Sequence, residues 1–207
     1  MKIGKLPEQV LVRSVLKQAK HRREEVLVGP AVGQDCAVMA LGEDEVFVMS
    51  SDPITGTVKD IGSHGIYITA NDLAASGAQP VGVLLTVLLP ENVEEPQIRQ
   101  MMQDAERTCK ELNMEIMGGH TEITNVVRQP LLTVTGVGKT KRKDLLLTMQ
   151  VQPGQDIVVT KWIGLEGTAI LAKEKEEELL HHFNPELVYT AQEFSRYLSV
   201  IQDARIA

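Results

Sequence analysis

The sequence predicts an α/β or α+β fold, with helices covering a sheet. Three observations predict it. Apolar segments of strand length alternate, along residues 1–150, with segments whose apolar residues recur every three or four positions. Breaks carrying glycine or proline separate these segments. The composition is that of a globular chain, with 43% hydrophobic and 24% charged residues among 207.

In chain order, residues 7–19 read as a helix with Pro7 in the first turn and Val10, Leu11, Val15, Leu16 and Ala19 on one face. Gly29, Pro30 and Gly33 break residues 26–40 into loop and short strand. Residues 45–51 (EVFVMSS) form a strand stopped at Asp52-Pro53, because a residue before proline is pushed out of the helical region. Residues 63–78 form a helix rich in small side chains (Ala70, Ala74, Ala75, Ser76, Gly77), which let it lie close to a sheet. Residues 81–89 are a buried strand. Residues 94–112 give the clearest helical period, through Ile98, Met101, Met102, Ala105, Cys109 and Leu112, with Pro96 in the first turn. Residues 114–117 form a short strand ending at Gly118-Gly119, and 131–137 form another.

Pro153-Gly154 marks the boundary between a first domain, 1–150, and a second unit, 151–207. In that unit 157–160 starts a strand, 166–180 is a helix, and a last helix opens at Asn184-Pro185. One strand and two helices cannot close a sheet, so 151–207 reads as the opening of a second α+β domain that is cut short.

Charge and composition exclude some classes of partner. Lys plus Arg number 21 against 28 Asp plus Glu, a net charge of -7, and aromatics are 3%. Nucleic-acid binding, which needs cationic surface and stacking platforms, is not expected. No run reaches the roughly 18 apolar residues of a membrane span, and the first residues lack a signal-peptide core. The expectation is a soluble cytoplasmic protein with no membrane partner. Two cysteines cannot build a disulfide framework.

Four polar clusters sit beside apolar segments: Gly33-Gln34-Asp35, Ser50-Ser51-Asp52-Pro53, Asn71-Asp72 and Gly118-Gly119-His120-Thr121-Glu122. Turns at strand ends are where sheets with helical cover usually grip ligands. Carboxylates gathered there repel one another unless a proton or cation intervenes. Magnesium is the natural cation, held by one or two carboxylates plus nucleotide phosphates. Gly118-Gly119 would let backbone N–H groups approach a phosphate.

Plainer readings compete. An Asp before Pro is commonly turn chemistry. Asn71-Asp72 in a helix would ordinarily be a solvated face, although the flanking Ile68, Ala70, Leu73 and Ala74 are apolar. Gly136-Val137-Gly138-Lys139-Thr140 looks like the end of a P-loop, but Thr133 stands where that motif needs its first glycine. His181 and His182 are adjacent and diverge on a helix. Cys109 falls on an apolar helix face, and Cys36 has no base to activate it.

Taken together, four segments resemble the superfamily of aminoimidazole ribonucleotide (AIR) synthetase, which includes thiamine-monophosphate kinase, selenophosphate synthetase and the HypE-type hydrogenase maturation factor. They are Val32-Gly33-Gln34-Asp35-Cys36-Ala37-Val38, Ser51-Asp52-Pro53-Ile54-Thr55-Gly56, Asn71-Asp72-Leu73-Ala74 with Gly77-Ala78-Gln79-Pro80, and Gly118-Gly119-His120-Thr121-Glu122. Pro153 to Lys161 and Gly164 to Ala169 look like the opening of that family's second domain. Gly4-Lys5-Leu6-Pro7 adds a likeness to the hydrogenase-maturation branch.

The resemblance implies a mixed sheet that forms a β-barrel when two copies join, hence a homodimer through the first domain. It implies ATP and Mg2+ as cofactors, with phosphoryl transfer to an oxygen of a small-molecule or carbamoyl-type substrate, and a maturation-protein partner. It places Asp35, Asp52 and Asp72 at the metal-binding positions. Lys5, Asn71, Gly118, Gly119, His120 and Thr121 fall at nucleotide positions. His120 stands where relatives often carry an acid, and Glu122 is the substitute metal ligand. The resemblance assigns no catalytic residue here, and no cysteine matches the maturation factor's cysteine-ended tail. Two alternatives remain open: a catalytically silent nucleotide-binding or assembly module, and a small-molecule kinase resembling the thiamine-monophosphate enzyme.

Overall fold

Six strands form one sheet in the computed structural model, which describes residues 5–206. They are β1 (Val26–Val28), β2 (Ala37–Ala40), β3 (Glu45–Ile54), β4 (Gln79–Leu89), β5 (Glu115–Ile123) and β6 (Leu131–Lys141), in the spatial order β1-β2-β3-β6-β4-β5. All neighbours are antiparallel except β4 and β5. That parallel pair is joined, as it must be, through a crossover helix, α3 (Glu95–Glu111).

Helix α2 (Ile61–Ala75) and α3 cover one face of the sheet. Alternation along the strands sends Val46, Val48, Val83, Leu85, Val87, Leu132 and Val134 into the core on that face, against Ile66, Ala70 and Ala74 of α2 and Met101, Ala105 and Cys109 of α3. The expected small-residue helix does lie close to the sheet. A Cβ on Gly136 of β6 would stand 2.3 Å from Thr69 Cγ2, and one on Gly65 of α2 would stand 2.8 Å from Val134 Cγ2. Helix and sheet touch at these two glycines, and larger residues would hold them apart. The opposite face, with Phe47, Met49, Leu84 and Val137, has no helical cover among the described residues, and Leu84 is 43% exposed.

Several expected elements differ. The first helix is shorter, α1 (Glu8–Ser14), and none of its residues is buried. Residues 26–40 give two strands rather than one. β3 continues through Asp52 and Pro53, because the preference that keeps Asp52 out of a helix suits extended backbone. The short strand at 114–117 runs on to Ile123, through both glycines.

Beyond residue 164 the expected helix at 166–180 breaks at Lys175 into α4 (Leu165–Glu174) and α5 (Glu176–Leu180). The last helix breaks into α6 (Pro185–Gln192), with Asn184 capping it by accepting from Glu186 N, and α7 (Ile201–Ile206). The expected strand at 157–160 is absent. Ile157 and Val158 are exposed, and among the described residues no strand lies alongside to partner their backbone groups. Among the described residues no helix is long and apolar enough to cross a membrane.

The close approach of α2 to the sheet generates a prediction. Gly136→Ala should lower the free energy of unfolding by about 1–3 kcal/mol through overpacking. Gly42→Ala, whose Cβ meets nothing within 4 Å, should cost almost nothing. Urea denaturation of the two variants checks the difference.

Candidate cation site

Strand β3 points Ser50 and Asp52 to the helix-covered face, two residues apart on a pleated strand. Helix α2 brings Asp72 down onto them. Ser50 Oγ lies 2.9 Å from Asp52 Oδ2 and 3.0 Å from Asp72 Oδ2. A hydroxyl has one proton to donate, so two ionised carboxylates cannot both be satisfied by it. Either one carboxyl holds a proton or a cation takes its place.

The electrostatics agree with that count. Burial is the main force pushing the Asp72 carboxyl up to about 6, and the neighbouring Asp52 and Asp35 charges add to it, while the Ser50 hydrogen bond opposes them. Asp35, exposed in the segment before β2, therefore belongs to the same electrostatic group. Cys36 is buried beside it and donates from Sγ to Asp72 O at 3.5 Å. Burial is again the leading cause raising its thiol, with the three aspartates contributing, so it is a packed thiol and not an activated nucleophile.

Two carboxylate oxygens at a solvent-accessible rim suit a magnesium ion that takes its remaining ligands from water and phosphate. Among the described residues no group of three or more His, Cys, Asp or Glu is arranged to enclose a metal. The pair thus fits a shared ion rather than a protein-only cage.

The other expected site residues lie elsewhere. His120 and Glu122 are in register with Thr86 and Leu88, whose side chains leave the uncovered face of the sheet. They pair with each other, Nε2 to Oε2, at 3.0 Å. β5 is three strands from β3, about 14 Å at the usual strand spacing, so Glu122 stands apart from Asp52 and on the opposite face of the sheet from α2 and Asp72. Thr121 is exposed on the same edge strand.

Gly118 and Gly119 do not form a turn after a strand. They lie inside β5, at φ 151° and 149°, where the ladder to β4 shifts register. A Cβ on Gly119 would stand 1.9 Å from Leu85 O, so glycine is what lets β5 close on β4. Asn71 turns away from the carboxylates: its Nδ2 donates to Leu198 O at 2.9 Å, and its Oδ1 accepts from Val200 N at 2.8 Å. Lys5 is exposed at the start of the described residues, and Gly4 lies outside them. A cavity of about 770 Å³ opens at the first turn of α2, lined by Ile61, Leu89, Met101, Arg128 and Lys173, and it shares no residue with the carboxylate pair.

Ser50 stands in one of the polar clusters read from the sequence but received no site role there, although it is the residue that joins the two carboxylates. Its signal was present: a serine two positions before Asp52 continues the inward-facing series Val46, Val48 as a polar residue, and buried polar groups need a partner.

Comparison with known proteins places this geometry in context. The family described as AIR synthase related protein, N-terminal domain, matches residues 33–140. A Methanocaldococcus jannaschii protein named for hydrogenase expression/formation is 28% identical over 172 residues, covering 81% of this chain and 51% of that one. The thiamine-monophosphate kinase of Haemophilus influenzae is 27% identical over 157 residues, covering 70% of this chain and 46% of the kinase. Among solved structures, AaThiL complexed with AMPPCP and TMP superposes with a TM-score of 0.76 at 17% identity, over 99% of this chain and 64% of that one. The last likeness is one of fold. The chain spans about half the length of the curated relatives it matches.

The raised Asp72 carboxyl sets a sign for pH. Its folded-state pKa of about 6 lies above the ordinary carboxylate value, so its contribution to stability is complete below about pH 4 and is lost as pH rises through 6. Asp72→Asn should therefore be more stable than the wild type at pH 8 without added cation. The gain is on the order of 1 kcal/mol, allowing for the solvent that reaches a half-exposed group. Divalent-cation affinity of the wild type should fall as pH drops through 6. Denaturation curves and manganese titrations at pH 5 and 8 check both.

Proposed function

Because this chain belongs to the AIR synthase related family through its N-terminal domain, we propose that it binds ATP with magnesium at Asp52 and Asp72 and uses it to phosphorylate an oxygen of a small-molecule or carbamoyl-type substrate. The observation that carries the reading is the pair of carboxylates facing a single Ser50 hydroxyl. Asp52 and Asp72 hold the ion, and Asp35 adds negative charge at the exposed side of the pair. Bound there, magnesium supplies neutralisation of the phosphate charge that phosphoryl transfer requires. Ser50 brings one oxygen of each carboxylate to a single hydroxyl before the ion arrives, which lowers the cost of gathering them.

The uncovered sheet face supports the homodimer. Phe47, Met49, Leu84 and Val137 form an apolar surface of the kind a second sheet would cover. His120 and Glu122 stand on that face, so a sheet-to-sheet dimer would bring them against the partner copy rather than against their own Asp72. Residues 1–150 then act as the nucleotide-binding and dimerising domain, and 151–207 as the beginning of a second. The hydrogenase expression/formation name of one relative favours a maturation-type substrate and a maturation-protein partner.

The separation of Glu122 from Asp72 in one chain supports a second reading, a module that binds nucleotide without turnover. The thiamine-monophosphate kinase likeness supports a third, a small-molecule kinase. ATP consumption, and the identity of any phosphorylated product, separates the three.

Calorimetry of ATP binding with and without magnesium tests the site. Asp52→Asn should weaken the magnesium-dependent component at least tenfold, about 1.4 kcal/mol. Unchanged magnesium-dependent binding in that variant would remove the assignment.

A further inference from the structure

The helices after residue 164 grip α2 at three levels. At its start, Lys173 Nζ reaches both Asp60 Oδ2 and Ser195 Oγ. One turn on, His64 Nε2 lies 3.1 Å from Glu166 Oε1. Near its end, Asn71 spends both halves of its amide on the backbone of Leu198 and Val200, at 2.9 and 2.8 Å. Asn71 is the residue immediately before Asp72.

The same helices also grip the loop that leaves β3. Glu174 Oε1, at the end of α4, accepts from Thr57 Oγ1 at 2.6 Å, Val58 N at 2.7 Å and Lys59 N at 2.9 Å. Against the upward push of burial, these donors hold the Glu174 carboxyl below the ordinary range. Thr57 is itself buried, five residues along the chain from Asp52. Each carboxylate of the pair therefore lies on a segment held by 165–206: Asp72 beside Asn71, and Asp52 on the strand whose exit loop ends on Glu174.

We infer that the seating of residues 165–206 on α2 and on the loop after β3 is energetically coupled to cation binding at Asp52 and Asp72, with Asn71 and Glu174 as the positioning residues that transmit the coupling. The inference rests on the cation reading proposed above. One ion shared between a strand and a helix requires their oxygens to be set within a few tenths of an ångström, so fixing both segments beforehand lowers the cost of binding. Coupling is reciprocal: if the seated helices favour the ion, the ion favours the seated helices by the same factor.

Manganese alone serves as the probe, with the full chain. In the wild type, saturating manganese should slow amide exchange about fivefold or more in peptides spanning 55–61 and 195–203. Asn71→Ala should weaken manganese binding by a similar factor and abolish that protection. Glu174→Ala should do the same, while Glu174→Gln, which keeps the accepting Oε1, should retain affinity to within about threefold; a generic loss of stability would not discriminate Gln from Ala in this way. Manganese binding with no change in exchange at either segment would overturn the coupling and leave the cation site standing. Equal affinity in wild type and Asn71→Ala would overturn it too. No manganese binding by the wild type would overturn the cation site and the coupling together.

Discussion

Ser50 has one proton and two carboxylates within reach of it, and the candidate site follows from that shortage. Asp52 comes to the hydroxyl along its own strand, Asp72 from a helix that begins after the strand has ended. Two acids placed this way leave the apo protein with an unsatisfied acceptor or a carboxyl that keeps its proton. Burial and the Asp52 charge favour the proton on Asp72. A divalent ion removes the conflict, because it satisfies both acids at once and releases the hydroxyl to donate to either. The site is thus a destabilised arrangement held by the surrounding fold, as perturbed groups at functional sites commonly are.

What holds it is the contact between α2 and the sheet. Gly136 lets Thr69 of the helix, and Gly65 lets Val134 of strand β6, pack directly on the facing backbone, and the fully buried Ile66, Thr69 and Leu73 fix the helix's rotation. With that rotation set, Asp72 faces β3 and Asn71 faces the backbone of 198–200. Neighbouring residues on one helix point about 100° apart, so a single helix delivers one side chain to the acidic pair and the next to the helices beyond residue 164. The placement of the carboxylate pair and the seating of those helices are consequences of one packing contact.

Much of this was legible in the sequence. The strand and helix order of residues 45–141 follows from periodicity, while the grouping of Asp35, Asp52 and Asp72 comes from the polar clusters together with the family resemblance. Where the structure departs from the local reading, a nonlocal partner decides. Gly118-Gly119 looks like a turn from its own residues, but the Leu85 carbonyl on the neighbouring strand makes it a glycine-only position inside β5. The resemblance puts Asn71 at a nucleotide position beside Asp72, and only the distant 198–200 backbone shows where its amide goes in this chain. The apolar run at 157–160 has strand character, but among the described residues no neighbouring strand pairs with it. Glu122 was placed with the aspartates by resemblance, whereas strand alternation puts it on the other face of the sheet.

The central claim is that Asp52 and Asp72 share one divalent ion. Crystals of the protein grown with manganese, measured at a wavelength where manganese scatters anomalously, test it most directly. A shared ion gives one strong anomalous peak within coordination distance of an oxygen of Asp52 and an oxygen of Asp72, with Ser50 Oγ turned to donate to one of them. A peak that contacts only one of the two, or that lies away from both, would contradict it.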